Sequence, residues 1–148
     1  MDSKTVVTEA VENARTRRAG LHQVLVELEG AIAAAAPGRE EAWAEEVRAK
    51  LSLLAESFAA HVRATEGADG LFEQVRRRAP RLDHQTRQLA TDHGTIAAEL
   101  AAATATVGPN VRESREAVLS LLAHLARHRQ VGADLVYEAY AVDIGGSD

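Results

Sequence analysis

Histidine is the residue type with the clearest chemistry in this chain, and His61 stands in a regular pattern. In the stretch LSLLAESFAAHVRATE, which begins at Leu51, apolar residues recur at spacings of three and four, and His61 takes the next place in the series. Such spacing predicts the buried face of an amphipathic helix. A leucine would cost less there, because a buried imidazole needs a partner for each ring nitrogen. His61 is therefore a candidate functional residue.

Three other segments place a histidine in the same way. His93 and His128 each lie within an apolar face at helical spacing, and His22 borders a third face beside Leu25. Each lies well inside its predicted helix, so in an antiparallel bundle the four histidines can meet at one level. A neutral imidazole donates a nitrogen lone pair to a transition metal, and coordination offsets the cost of burial. The pattern predicts a metal site built from His22, His61, His93 and His128.

The two remaining histidines, His84 and His124, differ in whether they lie on the same helix face as the nearest predicted ligand. His124 precedes His128 by four residues in the segment HLARH, which places both imidazoles on one side of a helix. This spacing is a familiar metal-binding geometry. His124 is therefore either a further ligand or a residue that flanks the core and reaches solvent. His84 is half a turn out of phase with His93 and is expected at the surface.

The elements that must position these residues are separated by proline, glycine and asparagine. Asp2 or Ser3 is the expected N-cap of the first helix, and Asn110 that of the last. Four long helices are predicted over about 3–35, 39–66, 80–104 and 111–141, with a further turn or two over 71–78 and an end at 144–146. Short connections predict an all-α, up-down-up-down antiparallel four-helix bundle that forms a single domain over residues 1–148.

The composition of the chain excludes several kinds of functional site and argues against several kinds of partner. The chain has 148 residues, 46% of them hydrophobic but only 3% aromatic, a net charge of −5 and no cysteine. Disulfides, thiolate zinc sites and iron–sulfur clusters are therefore excluded. The charge gives no reason to expect nucleic acid as a partner, and no apolar run reaches the length of a membrane span or signal peptide. We expect a cytoplasmic protein with neither nucleic-acid nor membrane partners.

The ordered histidines resemble the hemerythrin-like domain, also called the HHE cation-binding domain, over essentially the whole chain. That family is a four-helix bundle that holds two non-haem irons. Its pattern is His on helix one, His-x-x-x-Glu on helix two, His on helix three, and His followed four or five residues later by Glu or Asp on helix four. His22, His61, His93 and His128 match in order, and the segments LATDHGTIAAEL and HRQVGADLVYEAYAVDIGG also resemble bacterial members.

The carboxylates depart from the family pattern. On helix two, Thr65 stands four residues after His61, and the acid, Glu66, follows one residue later. By resemblance, Glu66 is the surviving carboxylate ligand of the irons.

Helix four departs further from the pattern. Gly132 stands four residues after His128, and the nearest acid, Asp134, is rotated by about 240° from that histidine. Either Asp134 or His124 would complete the ligand set.

The resemblance implies a protein that binds or senses dioxygen, or handles iron, through an open coordination position on a centre of two irons. Its small-molecule partner would be dioxygen, another diatomic molecule or a peroxide. Two alternatives remain open: an enzyme that reduces peroxide or nitric oxide at the same centre, and a metal-free interaction module whose site has eroded at Thr65 and Gly132. The oligomeric state is also open.

Overall fold

Four long helices make up most of the computed structural model, which describes residues 2–142. The α-helices are α1 (Ser3–Ala33), α2 (Glu40–Glu66), α3 (Leu71–Arg78), α4 (Asp83–Thr106) and α5 (Val111–Tyr137). A 3₁₀ turn, Pro80–Leu82, precedes α4, and a π-helical turn, Glu138–Val142, follows α5. No strand occurs within residues 2–142, so the predicted all-α class is confirmed. None of the helices described has both the length and the apolar character needed to cross a membrane.

The helix starts agree with the capping residues. The Asp2 side chain accepts a hydrogen bond from the backbone N–H of Lys4 at 3.4 Å, and Asn110 accepts one from Glu113 at 3.1 Å. Each cap satisfies a backbone donor that has no partner inside its own helix. The predicted helix end at 144–146 lies outside the described residues.

The short helix α3, Leu71–Arg78, agrees with the further turn or two predicted over 71–78. Its eight residues bury Leu71, Phe72 and Val75 against the bundle. Three arginines at its end complement the negative end of the helix dipole. The apolar contacts explain why so short a segment forms a helix, since local propensity alone would leave it marginal.

The buried apolar residues form two cores. The larger core contains Leu21, Leu25, Leu28, Ile32, Trp43, Val47, Leu51, Leu54, Phe58, Ile96, Leu100, Val118, Leu121 and Leu125, with smaller side chains. The smaller core contains Ala14, Leu71, Phe72, Val75, Ala79, Leu82, Leu89, Leu135 and Ala139. Along α4 and α5, His93 and His128 each lie between a residue of one core and a residue of the other. A polar layer therefore separates the two cores.

Arginine side chains tie the helix ends together at the larger core. Arg115, near the start of α5, donates hydrogen bonds of 3.0 Å to the carbonyl oxygens of Ile32 and Ala34 at the end of α1. Arg48 of α2 donates one of 3.2 Å to the carbonyl of Val107, which follows α4. These bonds satisfy carbonyls that the helix ends leave without partners.

Candidate metal centre

Three of the predicted histidines meet in the layer between the two cores. His61 of α2, His93 of α4 and His128 of α5 are buried, with exposed fractions of 8%, 3% and 4%. Each offers a ligand atom that lies within 4.8 Å of those of the other two. The ring centroids are 5.1 Å apart for His61 and His93, 5.7 Å for His61 and His128, and 4.8 Å for His93 and His128. We call this set the histidine cluster.

Several nitrogens of the histidine cluster are buried without a hydrogen-bond partner among the described residues. Both ring nitrogens of His61 and Nε2 of His93 are in this position. A buried polar atom with no partner costs about 1–3 kcal/mol, so three in one place require an explanation. A metal ion accepts lone pairs from several imidazoles at once, and the orphaned nitrogens therefore fit a metal.

Two carboxylates lie within hydrogen-bond distance of ring nitrogens on the outer side of the cluster. Glu66 Oε2 lies 2.6 Å from Nδ1 of His93, and Asp92 Oδ2 lies 2.7 Å from Nδ1 of His128. An ionised carboxylate only accepts hydrogen bonds, so each pair assigns the proton to Nδ1 and leaves Nε2 as the lone-pair donor. Carboxylates behind metal-binding histidines commonly fix the ring in this way. Glu66, predicted as a ligand, thus lies behind one in this structure.

The hydrogen-bond network continues beyond Asp92 to His124. The second oxygen of Asp92 lies 2.6 Å from Nε2 of His124, and Glu99 Oε2 lies 2.8 Å from Nδ1 of the same ring. Two accepting carboxylates suit an imidazole that is protonated on both nitrogens. Although desolvation lowers the pKa of His124, its hydrogen bonds to Glu99 and Asp92 outweigh that effect and raise it above its usual value. His124 therefore lies outside the cluster and is connected to it through Asp92.

Burial and neighbouring charge lower the pKa of His61 and His128, which favours their neutral form. Desolvation lowers the pKa of His61 to about 3, and the positive charges of His93, His128 and Arg18 act in the same direction. Desolvation also lowers the pKa of His128, although its hydrogen bond to Asp92 opposes the shift. Neutral imidazoles have free lone pairs at neutral pH, as metal binding requires.

The structure does not bring His22 into the cluster. His22 is exposed on α1, where its Nδ1 accepts a hydrogen bond of 3.2 Å from Arg129. Adjacent residues are rotated by about 100° around a helix, so the neighbour of the buried Leu21 faces away from the core. The α1 residue between Ala14 and Leu21 on the core face is Arg18, which is partly buried. An arginine thus stands where the fourth histidine was expected.

Asp134 and His84 also lie apart from the cluster. Asp134 is exposed on α5 and accepts a hydrogen bond of 2.9 Å from Gln130, one turn earlier. Its large rotation from His128 explains this outward position. His84 is exposed, as its phase predicted.

A small cavity adjoins His61 and His128. It measures about 30 Å³, which is room for about two or three atoms of the size of a water molecule. Its lining includes Arg18, Thr65, Arg129 and Gly132, together with the apolar side chains Leu71, Phe72, Leu89, Leu135 and Val136. The Thr65 hydroxyl donates to the carbonyls of His61 and Val62 in its own helix, at 3.0 and 3.2 Å. The cavity therefore offers space beside two of the three potential ligands.

Sequence reasoning missed Asp92, Glu99 and Arg18. Asp92 and Glu99 are seven residues apart, two turns along one face of α4, so a carboxylate ladder facing His124 and His128 was readable in the spacing. Arg18 completes the series from Ala14 to Leu21 at helical spacing. Their charge made each of them look like an ordinary surface residue.

Comparisons of the chain with protein-family models, with curated proteins and with solved structures found no match. The function therefore has to be argued from the histidine cluster, the carboxylates behind it and the adjoining cavity.

Proposed function

We propose that this protein is a hemerythrin-like metal-binding bundle that holds a transition metal ion through His61, His93 and His128 and binds a small molecule at an open coordination position. The orphaned, buried nitrogens of His61 and His93 carry this proposal. Three protein ligands leave coordination positions free, which is the arrangement of metal sites that bind or activate small molecules.

The up-down-up-down topology predicted from the short connections is supported by the contacts at the helix ends. Arg115 joins the start of α5 to the end of α1, and Arg48 joins the first half of α2 to the end of α4. These contacts agree with long helices that alternate in direction. We therefore propose the up-down-up-down arrangement as the architecture that positions the centre.

Iron is the metal we propose, in line with the resemblance and with the preference of imidazole for iron, copper, zinc and nickel. The donors of the histidine cluster fit one ion. A second iron would need further ligands, and in this structure Glu66 and Asp92 are turned to the outer nitrogens of the cluster. We propose one firmly held ion, with a second depending on movement of these carboxylates.

Bound iron would supply an open position for dioxygen, another diatomic molecule or a peroxide. The residues around the cluster have two further roles. Glu66 and Asp92 orient His93 and His128, and the apolar walls formed by Phe72 and Leu135 limit access of water to the cavity. Oxygen binding or sensing follows from such a site, because the protein holds the small molecule without supplying a reactive nucleophile.

An enzyme that reduces peroxide or nitric oxide is the second candidate, and the network from His128 through Asp92 and His124 to Glu99 favours it. Reducing hydrogen peroxide to two water molecules consumes two electrons and two protons, and this chain of hydrogen bonds leads from the cluster to a partly exposed carboxylate. Steady consumption of peroxide or nitric oxide with an added reductant would identify the enzyme. Reversible binding without turnover would favour the first candidate.

Elemental analysis and a visible spectrum of the purified protein test the proposal. We expect about one metal ion per chain after loading with iron(II). His61→Ala or His93→Ala should remove most of it, because the remaining donors cannot hold the ion. His84→Ala is the matched control and should retain full metal content. A metal-free wild type after loading with iron(II), or equal losses in all three variants, would refute the assignment.

A further inference from the structure

Two arginines line the cavity beside the histidine cluster, and neither has a carboxylate partner there. Arg18 lies on the core face of α1, and Arg129 follows His128 on α5; both are partly buried. Within residues 2–142, Arg18 has no hydrogen bond or ion pair, and Arg129 bonds to the imidazole of His22. No acidic side chain of the described part of the chain lines the cavity.

The charges around the cavity therefore have one sign. Arg18 is close enough to His61 for its charge to act on that ring. The other lining residues among those described are mostly apolar, and none carries a negative charge. A partly desolvated guanidinium is costly unless it pairs with an anion, and a metal cation on the neighbouring imidazoles would add to the positive potential. An anion inside the cavity would pair with the guanidinium and would also lower the positive potential.

The dimensions and donors of the cavity narrow the class of anion. A volume of about 30 Å³ admits only a few non-hydrogen atoms. Guanidinium presents paired N–H donors that match the oxygens of a carboxylate. The Thr65 hydroxyl is engaged by its own helix, and Gly132 leaves open space where a side chain would stand.

We propose that this cavity binds a small monoanion of about three non-hydrogen atoms, such as a carboxylate, between the metal held by the histidine cluster and the guanidinium of Arg18. This inference rests on the proposed function and names the class of its ligand. Arg18 lies where a fourth histidine was expected. Its guanidinium thus favours an anionic ligand, whereas a histidine there would have bound the metal. Arg129 adds a second positive charge to the same cavity.

Formate and its neutral isostere formamide are the probes. The protein is loaded with cobalt(II), and binding is followed by the visible spectrum and by calorimetry. We expect formate to bind at least about tenfold more tightly than formamide, since hydrogen bonds between charged groups exceed neutral ones. Arg18→Gln should weaken formate binding by about tenfold or more and leave formamide binding unchanged. Arg18→Lys, which keeps the charge and loses the paired donors, should fall between.

Arg17→Gln is the matched control. Arg17 carries the same charge one residue away, but it is exposed and faces a different groove. It should bind formate like the wild type. Gly132→Val offers a second test, because Gly132 lines the cavity and an added Cβ there meets no atom within 4 Å, so we expect the valine side chain to reduce the cavity. It should block formate and retain the metal.

The outcomes separate the two proposals. If the wild type takes up no cobalt or iron, the proposed metal centre is wrong and this inference falls with it. If metal content is full but formate binds Arg18→Gln as tightly as the wild type, or binds no better than formamide, only the anion site is overturned. Unchanged formate affinity in Gly132→Val would overturn it as well, should Arg18→Gln fail to fold.

Discussion

At the scale of single residues, the histidines of this chain differ in what their ring nitrogens face. His61 has two buried nitrogens without partners, His93 and His128 each have one nitrogen on a carboxylate, and His124 has both. The pKa of the same side chain is thus lowered at His61 and His128 and raised at His124, because solvation and charge around the ring decide its proton affinity.

Removing the carboxylate behind His93 should weaken metal binding without abolishing it. Glu66→Ala leaves the Nδ1–H of His93 without its acceptor, so the ring is less well oriented and less basic. Loss of such a partner typically costs about 10- to 100-fold in metal affinity. Competition with a chelator measures it, and Asp134→Ala, which removes an exposed acid from α5, should change nothing. Complete metal loss in Glu66→Ala, equal to that in His93→Ala, would show that Glu66 is itself a ligand.

The depressed pKa of His61 predicts acid sensitivity of the metal-free protein. In the unfolded chain this histidine takes up a proton below about pH 6.5, whereas in the folded chain it does so only near pH 3. Its contribution to stability is therefore fully present above pH 6.5 and is lost progressively as the pH falls towards 3. His61→Leu removes this effect. Between pH 7 and pH 5 its free energy of unfolding should therefore fall by about 2 kcal/mol less than that of the wild type.

Urea unfolding of both proteins with a chelator present measures this difference. His84→Leu is the control, since an exposed histidine should not alter the pH dependence. If the free energies of unfolding of His61→Leu and the wild type change with pH in the same way, the acid sensitivity does not come from His61.

At the scale of elements, the short helix α3 covers one side of the histidine cluster. Phe72 stacks on His93 with the ring centroids 5.6 Å apart and the planes at 13°, and it also lines the cavity. The side chain is buried, so it both packs the smaller core and shields the cluster from water. The position of α3 therefore controls how easily solvent reaches the histidines.

Phe72→Ala should accelerate metal loss as well as destabilise the fold. Truncating a buried phenylalanine costs about 3–5 kcal/mol, and here the space created opens towards the cluster. Leu28→Ala provides a control in the larger core, with a comparable loss of about 2–5 kcal/mol and no contact with the site. The rate of metal transfer to a chelator, measured where both variants are folded, should rise much more in Phe72→Ala. Equal rates in the two variants would mean that α3 does not shield the centre.

At the scale of the whole molecule, the histidine cluster links three helices across the boundary between two cores. A ligand that binds only the folded chain stabilises it by mass action, by about 2.7 kcal/mol at a free concentration of 100 times Kd. We therefore expect the melting temperature to rise with added metal and to fall with a chelator. The rise should vanish in His128→Ala and persist in His84→Ala. Metal-independent melting of the wild type would contradict a site that joins α2, α4 and α5.

The helices themselves were largely determined by the sequence. Helical periodicity, the caps at Asp2 and Asn110 and the breaks at proline and glycine depend on near neighbours, so the predicted bounds agree with the structure to within a few residues. Burial of His61, His93 and His128 followed from the same periodicity, because a residue in phase with several leucines must share their environment.

The tertiary structure alone decided which side chains meet across helices. Arg18 and His22 are four residues apart, about 40° around the helix, yet Arg18 lines the cavity and His22 is exposed. A pattern that only borders a buried face cannot resolve so small a difference. Likewise, Glu66 reaches the outer nitrogen of His93 because of the distance between α2 and α4. That distance depends on the packing of side chains from both helices, which no local pattern contains.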